Sequence, residues 1–210
     1  MARERVAAAA RRLSEEGLVL GTAGNVSERA GQIVAITPTG VALGDLRPDQ
    51  VTLVDLDGER VEGGLAPSSE LGLHLGVYRR YAAGAVVHAH SPAATALSCV
   101  IDELPAVHYN MLVLGGPVRV APYETFGTPA LAEATLEALR DRSAALMANH
   151  GTVLYAAAVE GAVENALLLE WCCEVYWRAA QIGPPRALSD EQLREVVEAA
   201  ARRGYGARGA

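Results

Sequence analysis

Most of the chemistry this chain can do rests on five histidines and a few carboxylates. His88 and His90 form a His-x-His pair in the apolar run from Ala85 to His90. In an extended strand, residues two apart face the same way. Two neutral imidazoles at that spacing can grip one metal ion, and a third ligand must then come from elsewhere. His150, in Asn149-His150-Gly151 after another apolar segment, is the candidate. Three His with an open position is the arrangement of catalytic rather than structural zinc. Taken singly, a His-x-His pair or a His beside a Gly is more often an ordinary strand or loop feature, and spacing alone does not bring the three together. Glu70 follows Pro67-Ser68-Ser69 and reads as the first residue of a helix capped by a hydroxyl. There the helix dipole favours the ionised carboxylate, a form suited to a metal ligand or a general base. The alternative is a Glu that merely decorates a first turn.

Three turns offer hydroxyls, small residues and backbone N–H groups to an anion: Thr22 to Asn25, Thr39-Gly40 and Ser68-Ser69. Such turns bind phosphate without a cation, although the same residue types also make plain turns. All 18 Lys and Arg residues are Arg. The absence of Lys excludes lysine Schiff-base chemistry, covalent pyridoxal phosphate and a P-loop. A carbon–carbon lyase built from this chain therefore needs a metal as its electron sink.

The elements that must position these groups read as mixed α and β. Val6, Ala9, Ala10 and Leu13 share a helical face that stops at Gly17. Strands are expected at 33–36, 51–56, 85–90, 111–113, 118–121, 145–148 and 153–155. Helices are expected from Glu70 to about Tyr81, from Pro92, from near Val159 until Gly183-Pro184-Pro185, and from Ser189 to about Arg203. In the helix after Val159, Ala162, Ala166, Leu169, Cys173, Tyr176 and Ala180 form one stripe. With no linker or repeat, the 210 residues are expected to be one α/β domain spanning 1–210.

The formal charge of -7 argues against nucleic acid or an anionic membrane surface as partner. Three cysteines, two of them adjacent (Cys172 and Cys173, with Cys99 apart), fit a reducing compartment. Arg3, Arg5, Arg11 and Arg12 interrupt the N-terminal Ala run too often for a signal-peptide core. A cytoplasmic protein is expected.

In order along the chain come Gly-Thr-Ala-Gly-Asn-Val-Ser at 21–27, Thr-Pro-Thr-Gly at 37–40, Pro-Ser-Ser-Glu at 67–70 and His-Ala-His-Ser at 88–91. They are followed by His-Tyr at 108–109, Ala-Pro-Tyr-Glu-Thr-Phe-Gly-Thr at 121–128 and Asn-His-Gly at 149–151. This series resembles the class II aldolase/adducin family, and within it the L-fuculose-1-phosphate aldolases, over nearly the whole chain. The resemblance implies a central, largely antiparallel sheet with helices on both sides, assembled as a homotetramer. It implies zinc, one ion per subunit, held by His88, His90 and His150, with Glu70 as a fourth ligand and base. It assigns Thr22, Asn25, Thr39, Gly40, Ser68 and Ser69 to phosphate. Tyr109 becomes a proton donor reaching across a subunit boundary, and Phe126 and Tyr205 line the aldehyde end. The implied reaction is reversible cleavage of a ketose 1-phosphate, L-fuculose 1-phosphate or a related deoxypentulose phosphate, into dihydroxyacetone phosphate and a small aldehyde. The family also holds ribulose-5-phosphate 4-epimerases, which resemble this chain but tend to carry Asp where it has Glu70, and sugar-phosphate dehydratases. Adducin-like heads, which are interaction modules, are expected to lack the intact metal set. His74 reads as structural, His108 as a support for Tyr109 or a packing residue, and Trp171 and Trp177 as core or subunit contacts.

Overall fold

A computed structural model describes residues 1–204. The described residues form a nine-stranded sheet flanked by six α-helices. The strands are β1 (Asn25–Ala30), β2 (Ile33–Ile36), β3 (Thr52–Asp55), β4 (Arg60–Glu62), β5 (Ala85–Ala89), β6 (Glu103–Leu104), β7 (Val118–Ala121), β8 (Ala144–Met147) and β9 (Gly151–Ala156). They lie in the order β4-β3-β2-β1-β5-β9-β8-β7-β6. Every pairing is antiparallel except β7 with β8, so the expected largely antiparallel sheet is present.

The helices are α1 (Ala2–Glu15), α2 (Leu71–Arg80), α3 (Pro92–Ser98), α4 (Pro129–Ala138), α5 (Val159–Ile182) and α6 (Asp190–Arg202). Two apolar clusters sandwich the sheet. One joins Val87, Ala89, Leu146 and Leu154 to α1, α3 and α5. The other joins Val34, Val86, Ala145 and Val153 to α2 and α4. Strand alternation sorts neighbouring residues of β5, β8 and β9 to opposite faces, both of them covered, which is why these strands are mostly apolar.

Local chemistry explains the boundaries. The N–H of Leu18 bonds the Leu13 carbonyl at 2.9 Å and that of Gly17 bonds Ser14 at 3.1 Å. Gly17 takes the left-handed conformation (φ 74) this helix-ending motif requires. Ser189 and Gln192 form the capping box that starts α6. Pro92 sits in the first turn of α3. The buried Glu170 of α5 accepts N–H bonds from Ala93 and Ala94 at 2.7 and 2.9 Å, satisfying donors at that helix start.

Four local expectations are corrected. The segment 111–113 lies in a 3-10 helix, Tyr109–Leu114, closed by Gly115 in the left-handed conformation, because a short apolar run fits helix or strand equally. Helix α2 begins at Leu71, with Glu70 at the capping position and no side-chain cap bond. The Ser68 hydroxyl instead accepts the Glu70 N–H at 3.2 Å. Strand β5 ends at Ala89, so His90 stands just beyond it. In α5, Ala180 is exposed and falls off the buried stripe. Trp171 and Trp177, expected in core or subunit contacts, are both substantially exposed on α5 within the single chain. Strands β1, β4 and β6 and helix α4 went unassigned from sequence.

Candidate active site

The site forms where β1, β5 and the β8–β9 hairpin meet the start of α2. Asn25 of β1 pairs directly opposite His88 of β5. Cross-strand partners share a face, and here that face lies under α2. His90 continues from β5, its backbone N–H held by the Leu18 carbonyl at 3.1 Å. His150 belongs to the loop Ala148-Asn149-His150, which joins β8 to β9, with Met147 paired to Gly151 and Asn149 in the left-handed conformation (φ 55). A Cβ at Gly151 would lie 2.3 Å from the Ala89 carbonyl oxygen and 3.1 Å from the His90 ring. Only glycine lets the hairpin come close enough to set His150 beside the other two histidines.

The three expected ligands meet. One ring nitrogen from each of His88, His90 and His150 lies within 4.8 Å of the others. The His88 Nδ1–H donates to the Thr152 carbonyl at 2.9 Å, which leaves Nε2 bare and aimed inward. That Nε2 stands 2.9 Å from His90 Nε2 and 3.1 Å from Glu70 Oε2. Glu70 Oε1 lies 3.6 Å from His150 Nε2 and is a buried oxygen without a hydrogen-bond partner. Lone pairs converging on lone pairs, beside an orphaned carboxylate oxygen, call for a cation at the centre. The donor set therefore fits a divalent metal held by three imidazoles and one carboxylate.

The electrostatics agree with that fit. Burial pushes His90 down to about 4, helped by the neighbouring His88 and His150 rings. Burial likewise lowers His150. Both imidazoles are thus neutral at pH 7, as metal ligands must be. Burial pushes the Glu70 carboxyl up. The adjacent His88 ring, the Asn25 amide and the nearby His150 ring outweigh it, holding Glu70 well below the usual carboxylate range. Glu70 is ionised although only 7% exposed.

Beside this cluster opens a cavity of about 500 Å³. All six residues expected at the phosphate line it: Thr22, Asn25, Thr39, Gly40, Ser68 and Ser69. Backbone bonds draw their turns together, Thr39 N–H to Ala66 and Ser68 N–H to Thr37, at 3.0 and 3.1 Å. No Arg lines the wall among the described residues, so an anion here meets hydroxyls and amides. Glu70, His90 and His150 line the same cavity.

Phe126, Tyr109 and Tyr205 are the remaining expected residues. Phe126 lines the cavity but is 67% exposed. Tyr109 is 51% exposed and is not part of the cavity wall. It stacks on His108 at 4.4 Å, and His108 meets Trp171 edge-on at 4.8 Å. The His108 Nδ1 also accepts the Asn110 N–H at 3.1 Å. Tyr205 lies outside the described residues. Tyr123, Glu124 and Asn149 also line the cavity and were not singled out, although all three fall inside motifs read from the sequence.

Residues 4–177 match the family described as Class II Aldolase and Adducin N-terminal domain. The chain belongs to that family. It is 41% identical over 93% of its length to the 5-deoxy-D-ribulose 1-phosphate aldolase of Bacillus thuringiensis serovar kurstaki, covering 93% of that protein. It is 39% identical to the L-fuculose phosphate aldolase of Escherichia coli K12, over 87% of this chain and 86% of that one. A solved L-fuculose 1-phosphate aldolase superposes with a TM-score of 0.91 at 35% identity, covering 95% of this chain and 96% of the other. This class II aldolase family member is thus an enzyme, a lyase, as the metal-ready site had suggested.

Proposed function

We propose that the protein is a metal-dependent aldolase that reversibly cleaves a ketose 1-phosphate into dihydroxyacetone phosphate and a small aldehyde. Candidate substrates are L-fuculose 1-phosphate and 5-deoxypentulose 1-phosphates. The observation that carries this reading is the convergence of His88, His90, His150 and Glu70 beside a cavity walled by neutral anion-binding turns. Relatives of both substrate types resemble the chain to nearly the same degree. Apolar pockets separate substrates that differ by one small group only weakly, so one protein can accept more than one aldehyde.

His88, His90, His150 and, without substrate, Glu70 would hold the ion, which we take to be zinc, one per subunit. When bound, it supplies Lewis-acid stabilisation of negative charge on the substrate oxygens next to the reacting carbon. The chain's own residues do the rest. The turns at Thr22 and Asn25, Thr39 and Gly40, and Ser68 and Ser69 bind and orient the phosphate, using binding energy remote from the reacting bond. In the synthetic direction, Glu70 takes the proton from C3 of dihydroxyacetone phosphate, and the electron pair left behind forms the new C–C bond to the aldehyde. Tyr109 of a neighbouring subunit donates a proton to the resulting alkoxide oxygen. In cleavage that proton leaves the C4 hydroxyl, the C3–C4 bond breaks, and Glu70 returns a proton to C3. The exposure of Tyr109, away from the cavity of its own chain, supports action across a boundary in a homotetramer. Phe126 and Tyr205 are assigned to the aldehyde end.

No described helix is long and apolar enough to cross a membrane, in keeping with a cytoplasmic metabolic role. The test is release of dihydroxyacetone phosphate from L-fuculose 1-phosphate and 5-deoxyribulose 1-phosphate, run beside ribulose 5-phosphate. Release from either ketose 1-phosphate is expected. Conversion of ribulose 5-phosphate to xylulose 5-phosphate without release would make the protein an epimerase instead.

A further inference from the structure

Behind Glu70 runs a row of buried polar groups, of which the proposed reaction uses only Asn25. Glu70, His74 and Tyr78 stand four residues apart on the inner side of α2. Asn25 and Ser27 stand two apart on the facing side of β1. Four residues of helix rise about 6 Å and two residues of strand about 6.6 Å, so the two rows stay in step and interlock. Tyr78 OH lies 2.7 Å from Ser27 Oγ, which lies 2.6 Å from His74 Nδ1. His74 Nε2 lies 2.5 Å from Asn25 Oδ1, and Asn25 Nδ2 lies 2.9 Å from Glu70 Oε2.

The direction of every bond follows from the last one. An ionised carboxylate only accepts, so the Asn25 amide must turn its NH2 to Glu70 and its carbonyl to His74. His74 must then carry its proton on Nε2 and leave Nδ1 bare. Ser27 must donate to Nδ1 and accept from Tyr78. The full burial of His74 disfavours a second ring proton. The row is therefore a one-way chain of neutral donors that ends on a single carboxylate oxygen.

We propose that His74 is a positioning residue: through Asn25 it fixes which oxygen of Glu70 is tied down and which is free. Oε2 takes the Asn25 amide, while Oε1 keeps no partner and is the oxygen that exchanges the C3 proton. Asn25 also lines the cavity, and its amide retains a second N–H for the phosphate. One side chain thereby links the anion site to the base. This inference rests on the proposed role of Glu70 and names the groups that hold it in place.

Two measurements test it. In metal-free protein, 15N NMR of the histidine rings is expected to show His74 neutral, with its proton on Nε2. A proton on Nδ1, or on both nitrogens, overturns the proposal, because the Asn25 amide would then face the other way. The second is solvent-deuterium exchange into C3 of dihydroxyacetone phosphate by metal-loaded enzyme. His74→Leu is expected to lower kcat for exchange roughly 10- to 100-fold, the usual scale for outer-shell partners. KM should stay within about two-fold, metal content should be unchanged, and His74→Gln, which restores a donor near Nε2, should recover most of the rate. Exchange at the wild-type rate in folded His74→Leu overturns the proposal, as does equal loss in both variants. If His74→Leu does not fold, Ser27→Ala takes its place, with a drop in kcat expected and a wild-type rate contradicting the proposal. A wild-type enzyme that fails to exchange deuterium at all refutes the aldolase reading instead, and the ring-proton measurement still decides the role of His74.

Discussion

The two faces of the central sheet are made from the same strands but differ in what they bury. Under α1, α3 and α5 the strands present Val87, Ala89, Leu146 and Leu154, a surface that is apolar almost throughout. Under α2 and α4, Val34, Val86, Ala145 and Val153 share the face with Asn25, Ser27 and His88. Buried polar groups stabilise little in net terms and cost a great deal when left unpaired. The second face keeps them because each has a partner or, in the case of Glu70 Oε1, a ligand to meet. One face holds the sheet together, and the other gathers a carboxylate and three imidazoles beside a cavity.

Substitutions on the two faces should therefore separate activity from stability. The largest effect is expected from Glu70→Gln, which keeps the shape but removes the base. Its kcat for dihydroxyacetone phosphate release should fall roughly 10²- to 10⁴-fold, the range for a lost general base, with the thermal midpoint changed little. A near-wild-type rate would erase the distinction between the faces. On the other side, Leu154→Ala should cost about 2 to 5 kcal/mol in urea unfolding, as buried Leu truncations do. Its kcat per folded molecule should match wild type. A large drop in that figure would show that the apolar face also tunes the site.

Acid sharpens the contrast. His74 takes a proton near pH 6.5 when unfolded but only at about 3 when buried. The unfolded chain then binds more protons between those values, so stability falls as pH drops through this window. In metal-free protein, His74→Gln should lessen the slope of unfolding free energy by up to about 1.4 kcal/mol per pH unit, one proton's worth. Leu154→Ala should leave the slope unchanged. Equal slopes in wild type and His74→Gln would mean that the row of polar groups does not exclude the proton. The smallest effect is expected from Thr39→Val, which removes one neutral hydroxyl from the anion site. One such hydrogen bond is worth about 1 kcal/mol, so KM for the ketose phosphate should rise several-fold at constant kcat.

The same contrast decides what could be read from the residues alone. The apolar strand β5 and the periodic helix α5 were legible because their side chains state their environment. The His-x-His pair and the three turns proposed to bind an anion were legible as chemistry, but their meeting depends on the β1–β5 register and on the close approach at Gly151. Strand β1 was hidden because its residues toward α2, Asn25 and Ser27, are polar, and Asn25 reads as the end of a turn. Helix α4 carried a usable signal in Thr128-Pro129, where the Thr128 hydroxyl accepts the Leu131 N–H at 3.2 Å, yet went unassigned. The segment 111–113 was apolar enough for a strand and became a 3-10 helix, since nothing in a three-residue run fixes its period. His74 lay four residues from Glu70 in plain view. Its partners on β1 could appear only once that strand was placed.

The most direct test of the account is to strip the purified protein with a chelator, add zinc back in increments, and follow dihydroxyacetone phosphate release from a ketose 1-phosphate. The site described here predicts no release from stripped protein and full recovery at one equivalent per chain, with no recovery in His150→Ala at that level. Undiminished release from metal-free protein, or stoichiometric zinc binding with no release from any ketose 1-phosphate, would contradict it.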